Sequence, residues 1–481
     1  MTLEATRRGF LRALGAGVAS LAAPERLLAA RGSQSKPNII LCMTDDQGWG
    51  DTGYNGHKVL KTPALDEMSR SGIRFDRWYA GAPVCSPTRG TCMTGRHPYR
   101  YGIFGANVGH VRKQEITLAE ALKTQGYVTG HFGKWHLGTL TKTVKESNRG
   151  GPRGVKHYSP PWENGFDVCF STEAKVPTYD PMITPVGWKR SKGIRPGKPF
   201  RTYYWTGPDQ RVRDNLSGDD SRIIMDRVIP FIEGAVRGGR GPRPFLAVVW
   251  FHAPHLPVVA GPKHRAIYKD QPEAAQHYYG CITAMDEQVG RLRAKLRQLG
   301  VADNTMLWFC SDNGPEGRQY NGMNGSAGPF RGRKRSLFEG GVRVPGLLVW
   351  PARIKTPRVV ETPCCTSDYF PTVMDVLGLR MRGQPEPIDG VSLLPIVEGK
   401  VTSRPAPIAF EARKQLSLTD NRYKLISQDA GKTYQLFDLI SDPGETKDLS
   451  SDNPEIIKRM SSALERWRRS CGDSRAGRDY E

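Results

Sequence analysis

The strongest constraint on the fold is an alternation of short apolar runs with helical patterns. Asn38-Ile-Ile-Leu-Cys-Met43 leads into Asp45-Asp46 and reads as a buried strand. Thr117-Leu-Ala-Glu120 has the capping-box pattern, which predicts a helix stopping at Gly126. Tyr127–Phe132 then predicts the next strand, and Phe245–Phe251 is a further apolar run. A long helix is expected from about Glu273, with Ile282, Met285, Val289, Leu292, Leu296 and Leu299 along one face and Gly300 as the stop. Thr305–Cys310 predicts another strand, ending in Ser311-Asp312-Asn313. Strands alternating with helices imply an α/β fold: a large, mostly parallel sheet flanked by helices. With 481 residues, 38% hydrophobic and 25% charged, the chain can bury a sizeable core. Collagen-like, coiled-coil and wholly disordered architectures are excluded.

The alternation is lost between about 139 and 215, a stretch rich in Gly, Pro and basic residues. Trp188–Arg201 holds six Lys or Arg and no acid, and the stretch reads as a long insertion on one face of the domain. After about Lys400 the character changes again. Arg422–Ser427 and Tyr434–Leu439 predict two antiparallel strands, and a helix is expected from about Pro454 to Arg469. The expected organisation is a large α/β domain over 36–400 and a smaller α+β C-terminal subdomain over 401–481.

Residues 1–30 read as an export signal. Arg7-Arg8-Gly9-Phe10-Leu11-Arg12 precedes a mild apolar run from Ala13 to Ala23, the pattern of a twin-arginine signal. The run is about half the roughly 20 residues that a bilayer span needs, and Leu28-Ala29-Ala30 suits cleavage. The expected location is periplasmic or extracellular, in a bacterium, with no integral membrane segment in the mature chain. The nine cysteines show no CxxC pair and no zinc spacing; their odd number leaves at least one thiol unpaired.

Lys and Arg total 70 against 48 Asp and Glu, a net charge of +22, which favours polyanionic partners or acidic substrates. No nucleic-acid module, dinucleotide fingerprint or phosphate loop is present, so net charge alone speaks for nucleic acid and no such partner is expected. Asp45-Asp46 and Asp312-Asn313 close two strands. In open α/β sheets ligands gather outside the carboxyl ends of strands, and four oxygen-bearing side chains there would suit a hard cation, calcium or magnesium. Cys85-Ser-Pro-Thr-Arg89-Gly90 is a tight local arrangement. Taken alone it admits a thiolate nucleophile whose pKa is lowered by Arg89, or a buried structural cysteine.

Cys85-Ser-Pro-Thr-Arg-Gly resembles the signature of the type I sulfatases, an alkaline-phosphatase-like family. Gly126-Tyr-Val-Thr-Gly-His-Phe-Gly-Lys134-Trp-His136-Leu-Gly138 resembles their second signature. Asp45-Asp46-Gln-Gly-Trp-Gly, Thr62-Pro-Ala-Leu-Asp66, Gly72-Ile-Arg-Phe75, Ala253-Pro-His255-Leu-Pro257 and Ser311-Asp312-Asn313-Gly314 are similar to further family phrases. So are Arg331-Gly-Arg-Lys334 with Glu339-Gly-Gly341, Asp368–Thr372, Asp389–Leu394 and Phe437–Glu445. The resemblance runs in order from about residue 37 to 450.

It implies that Cys85 is oxidised to formylglycine by a formylglycine-generating or anaerobic sulfatase-maturing enzyme. It further implies that Asp45, Asp46, Asp312 and Asn313 hold one calcium, with magnesium the lesser choice, and that the residue made from Cys85 touches the ion. Arg89, Lys134 and His136 would surround the formylglycine; His255 and Lys334 would face the leaving group. His252 competes with His255, and Arg333 and Arg335 flank Lys334. The implied chemistry is attack on sulfur by one hydroxyl of the aldehyde hydrate, aided by the metal. Asp312 would take that proton, His255 with Lys334 would protonate the leaving oxygen, and His136 would deprotonate the second hydroxyl to expel sulfate. Charge and the basic insertion point to a sulfated carbohydrate substrate, small or polymeric. Two other functions fit the same residues: a formylglycine-dependent phosphonate monoester or phosphodiester hydrolase, and a catalytically silent secreted polyanion-binding protein.

Overall fold

The computed structural model describes residues 36–186, 196–239, 241–316 and 325–481. The expected export signal at 1–30 and most of the basic run Trp188–Arg201 therefore lie outside the described residues.

Five parallel strands form the centre of a ten-stranded sheet: β1 (Asn38–Thr44), β2 (Val128–Lys134), β3 (Val168–Thr172), β4 (Phe245–Trp250) and β5 (Thr305–Ser311). Their order is β5-β1-β4-β2-β3, with β1 pairing in register along both β4 and β5. Strands buried on both faces alternate between two cores. Ile39, Leu41, Met43, Val248, Trp250 and Trp308 face one; Ile40, Cys42, Ala247, Val249, Leu307 and Phe309 face the other. Helices α1 (Pro63–Ser71), α2 (Cys85–Thr94), α3 (Leu118–Lys123), α4 (Asp220–Arg237) and α5 (Glu273–Gln298) cover the two faces.

The predicted α/β architecture is present, but the sheet is mixed. Gly346–Val349 pairs antiparallel with β5, and Trp205–Gly207 pairs antiparallel with β3. The 139–215 stretch is thus more than an insertion on one face: β3 and the short strands Trp205–Gly207 and Gln210–Arg211 build one edge of the sheet. Local signals hold where they are chemical. The Thr117 hydroxyl accepts from the Glu120 amide at 3.2 Å, and the Glu120 carboxylate accepts from the Thr117 amide at 2.7 Å. Gly126 and Gly300 take the left-handed conformation (φ 80° and 70°) just past their helices, which a β-carbon would oppose.

The C-terminal region is larger than its two predicted strands. Ile408–Ala412, Gln415–Thr419, Tyr423–Ser427 and Gln435–Asp438 form an antiparallel sheet in chain order. Helix α6 (Pro454–Arg475) packs Met460 and Leu464 on one face of it. The other face puts Phe410, Ile426 and Phe437 against Tyr79, Leu337 and Phe338. At that seam the Lys424 ammonium is fully buried, 2.9 Å from Glu339 and 3.0 Å from Glu445. No helix among the described residues is long and apolar enough to cross a membrane. All nine cysteines are buried and unpaired.

Candidate functional site

The carboxyl ends of β1, β2 and β5 meet the first turn of α2. Parallel strands put their last residues on one edge, so residues far apart in the chain converge. Asp45 and Asp46 follow β1, and Asp312 and Asn313 follow β5; all four are 2% exposed or less. The Asp46 amide donates to Asp312 Oδ1 at 3.1 Å, and Asn313 Nδ2 donates to Asp46 Oδ1 at 2.7 Å. Asp46 sits at φ 69°, a strained region for a non-glycine residue that is characteristic of functional turns. Asp51 braces this turn by accepting from the Gly48 amide, the Ser326 amide and the Tyr278 hydroxyl.

Every residue of α2 is buried. Its first residue is Cys85, so the positive end of the helix dipole faces the acidic cluster. Oxygens of Asp45 and Asp312 and the Cys85 sulfur all lie within 4.8 Å of one another, as do one ligand atom each of Asp45, Asp46 and His255. Arg89, one turn along α2, donates Nε and Nη2 to Asp312 Oδ2 at 3.0 and 2.7 Å and Nη1 to the Lys134 carbonyl at 2.9 Å. Its guanidinium stacks over Trp250. Lys134 ends β2 and reaches Asp45 Oδ2 at 2.5 Å. Lys334 reaches Asp46 Oδ2 at 2.7 Å.

The structure separates the candidates that sequence left side by side. His255 Nε2 is 3.6 Å from Asp46, and its Nδ1 bonds the Leu256 carbonyl at 2.7 Å. His252 lies behind, bonded to Asp220 and Thr172. Arg335, at φ 78°, pairs with Glu316, and Arg333 bonds the Glu316 and Gly325 carbonyls. That turn sends Lys334 alone among the three to the acidic pair. His136 Nε2 lies 2.8 Å from Asn107 Oδ1. Asn107 had no local signal in the sequence, because it sits on a separate loop. Glu316, 4.0 Å from Lys334, was also not anticipated.

The electrostatics follow from burial and this packing of charge. Burial pushes Asp312 up to about 7, with Asp45 and Asp46 adding to it against Arg89 and Lys134. Burial also opposes ionisation of Asp45, but His255, Lys134, Arg89 and Lys334 around it hold its carboxyl well below the usual range. Burial lowers His255 to about 3 despite Asp45 and Asp46. Burial, with Lys134, Arg149 and Arg89 adding positive potential, holds His136 well below its usual value. The Cys85 thiol is pushed up, by burial first and by Asp45 and Asp312, although Lys134 and Lys334 pull the other way. Arg89, the residue a thiolate would lean on, is held by Asp312.

The donor set fits a hard cation. It offers three carboxylates and a carboxamide, and the buried Asp45 Oδ1 and Asn313 Oδ1 have no hydrogen-bond partner among the described residues. Lys134 and Lys334 pair with Asp45 and Asp46.

A family profile described as Sulfatase matches residues 37–379. A second, described as N-sulphoglucosamine sulphohydrolase, C-terminal, matches residues 328–470. The chain is 32% identical over 419 residues to the N-acetylgalactosamine-6-sulfatase of Canis lupus familiaris, covering 82% of this chain and 73% of that protein. It is 31% identical over 435 residues to the steryl-sulfatase of Mus musculus, covering 76% and 65%. Among solved structures, Ps i-CgsB in complex with k-i-k-neocarrahexaose superposes with a TM-score of 0.75 at 26% identity, over 90% of this chain and 93% of that one. With the family profile matching well over half of its length, the chain belongs to the sulfatase family and is a sulfatase enzyme.

Proposed function

We propose that this sulfatase hydrolyses sulfate monoesters of a sulfated carbohydrate, with a formylglycine made from Cys85 and one calcium ion held by Asp45, Asp46, Asp312 and Asn313. The observation that carries this reading is the convergence of Cys85, three carboxylates and Asn313 in one buried cluster ringed by Arg89, Lys134 and Lys334. A soft, high-pKa thiol is a poor partner for an all-oxygen cation site, whereas an oxygen-bearing residue at position 85 suits it. The aldehyde hydrate and the cation together supply an acidified hydroxyl for attack on sulfur and a second hydroxyl whose deprotonation releases sulfate.

The chain's own residues do the rest. Asp312, placed beside Cys85 in the same cluster, is the carboxylate suited to accept the proton of the attacking hydroxyl. Lys134 and Lys334 neutralise carboxylates that a cation would take over, which frees both ammonium groups for the sulfate oxygens. Arg89 holds Asp312 and the end of β2 in place. His255 donates Nδ1–H to the Leu256 carbonyl, so Nε2 is the atom that carries a proton to the leaving oxygen. An arriving sulfate anion favours the imidazolium that burial otherwise opposes. His136 takes the second proton.

The substrate class rests on the mature charge of about +20, and on relatives named N-acetylgalactosamine-6-sulfatase and titled as a complex with k-i-k-neocarrahexaose. Export by the twin-arginine route to the periplasm or beyond, and modification by a maturing enzyme, complete the reading. The test is the mass of the peptide spanning Cys85, from a host that modifies a control sulfatase, followed by a panel of sulfated sugars. Conversion lowers the mass by about 18 Da and leaves a hydrazine-reactive carbon, off the ordinary thiol oxidation ladder. An unshifted peptide, or no turnover of any sulfated sugar by a shifted one, overturns the proposal.

A further inference from the structure

We propose that Asn107 is a positioning residue that fixes the tautomer of His136, with the proton on Nε2 and the lone pair on Nδ1. His136 stands two residues past β2 at φ 59°, and Asn107 at φ 63°. Two non-glycine residues held in the left-handed region and facing each other mark a geometry that the surroundings impose. The imidazole is 4% exposed. Its Nε2 lies 2.8 Å from Asn107 Oδ1, and its buried Nδ1 has no hydrogen-bond partner among the described residues.

The orientation of the Asn107 amide decides the tautomer, because an oxygen requires a donor and an amide nitrogen an acceptor. Asn148 Nδ2 donates to the same Oδ1 at 2.9 Å. In this orientation of the two amides the oxygen faces both neighbours, and His136 supplies N–H from Nε2. That leaves Nδ1 as the basic atom. The arrangement is held from two sides. Residues 105 and 108 close the loop that carries Asn107 with a β-bridge. The next residue after Asn148, Arg149, donates to the Gly109 carbonyl and lies 3.5 Å from Glu173, just past β3. A segment of the 139–215 stretch thus reaches the base through one shared oxygen. This assignment rests on the proposed role of His136 only for its catalytic consequence, not for its geometry.

The test uses the full mature chain, converted at position 85 and labelled with 15N, in which the ring nitrogens of His136 report the tautomer. A His136→Gln variant assigns the signals. Wild type should show protonated Nε2 and unprotonated Nδ1 near pH 7.5. Asn107→Leu should lose that pattern, and Asn107→Asp, which keeps an acceptor, should restore it. If Asn107→Leu does not fold, Asn148→Leu weakens the same orientation and should mix the tautomers. On a sulfate ester, Asn107→Leu should lower kcat by about 100-fold, the usual order for a general base, with KM changed by less than about threefold. Asn107→Asp should recover at least tenfold of the loss. Protonated Nδ1 in wild type, or an unchanged pattern in Asn107→Leu, overturns the inference. A tautomer that follows position 107 with kcat unmoved supports it and instead sinks the catalytic role proposed for His136.

Discussion

Replacing Lys334 by Met should tighten calcium binding and slow turnover at the same time. The Lys334 ammonium lies 2.7 Å from Asp46 Oδ2 with its side chain 4% exposed, so it competes with a cation for that carboxylate. Burial alone would lower its pKa, but Asp46, with Cys85, Asp45 and Asp312, raises it, and it stays charged. A unit charge about 4 Å away is worth about 4 kcal/mol at an effective dielectric near 20. The lysine can swing aside, which removes part of that repulsion and leaves about 1.5–3 kcal/mol, or about 10–100-fold in affinity. Calorimetric titration of chelator-treated protein with calcium reads this directly, and Lys334→Arg serves as the charge-preserving control. Turnover of a sulfate ester should fall by about 100-fold or more, because a cation that meets transition-state charge is gone. An affinity for calcium that is unchanged or weaker in Lys334→Met would refute the competition argument.

Cys85→Ser should lose turnover by orders of magnitude while the unfolding midpoint stays close to wild type, since the change is small and the serine cannot form a hydrate. Normal multiple-turnover rates in that variant would sink the mechanism. Burial first, then Glu173, lifts Glu146 to about 8. Its contribution to stability is fully present below pH ~4.5 and is lost as pH rises through about 8. Thermal melts should therefore show the Tm of Glu146→Gln gaining on wild type between pH 5 and 9; a constant difference would contradict the assignment. Lys424→Met strands Glu339 and Glu445 in the seam beneath the C-terminal sheet and should cost about 3–5 kcal/mol in urea unfolding. Adding Glu339→Gln should recover part of the loss.

How far the site could be read in advance follows from where its residues stand. Asp45, Asp46, Asp312 and Asn313 close β1 and β5. Parallel pairing puts strand ends on one edge, so two acidic turns after apolar runs already imply one cluster. The capping box at Thr117 was legible because its partner lies three residues away, and the apolar face of α5 because its period is helical. Choices among neighbours rested on motif resemblance alone. In the structure Lys334 differs from Arg333 and Arg335, and His255 from His252, in the direction that a loop gives each side chain. Those directions depend on Glu316, Asp220 and Thr172, which are remote in sequence.

β3 and the strand Gln415–Thr419 place polar residues at buried positions, Ser171 and Ser417, and Ile408–Ala412 buries only Ile408 and Phe410. Their strand character comes from pairing rather than from an apolar run. Asn107 is the limiting case, since its meaning arises only where loops 105–110 and 146–150 meet over His136. The candidate site residues on strand ends are thus written by periodicity and motif, whereas the residues packed against them, such as Asn107 and Asn148, lie on loops whose contacts are long-range.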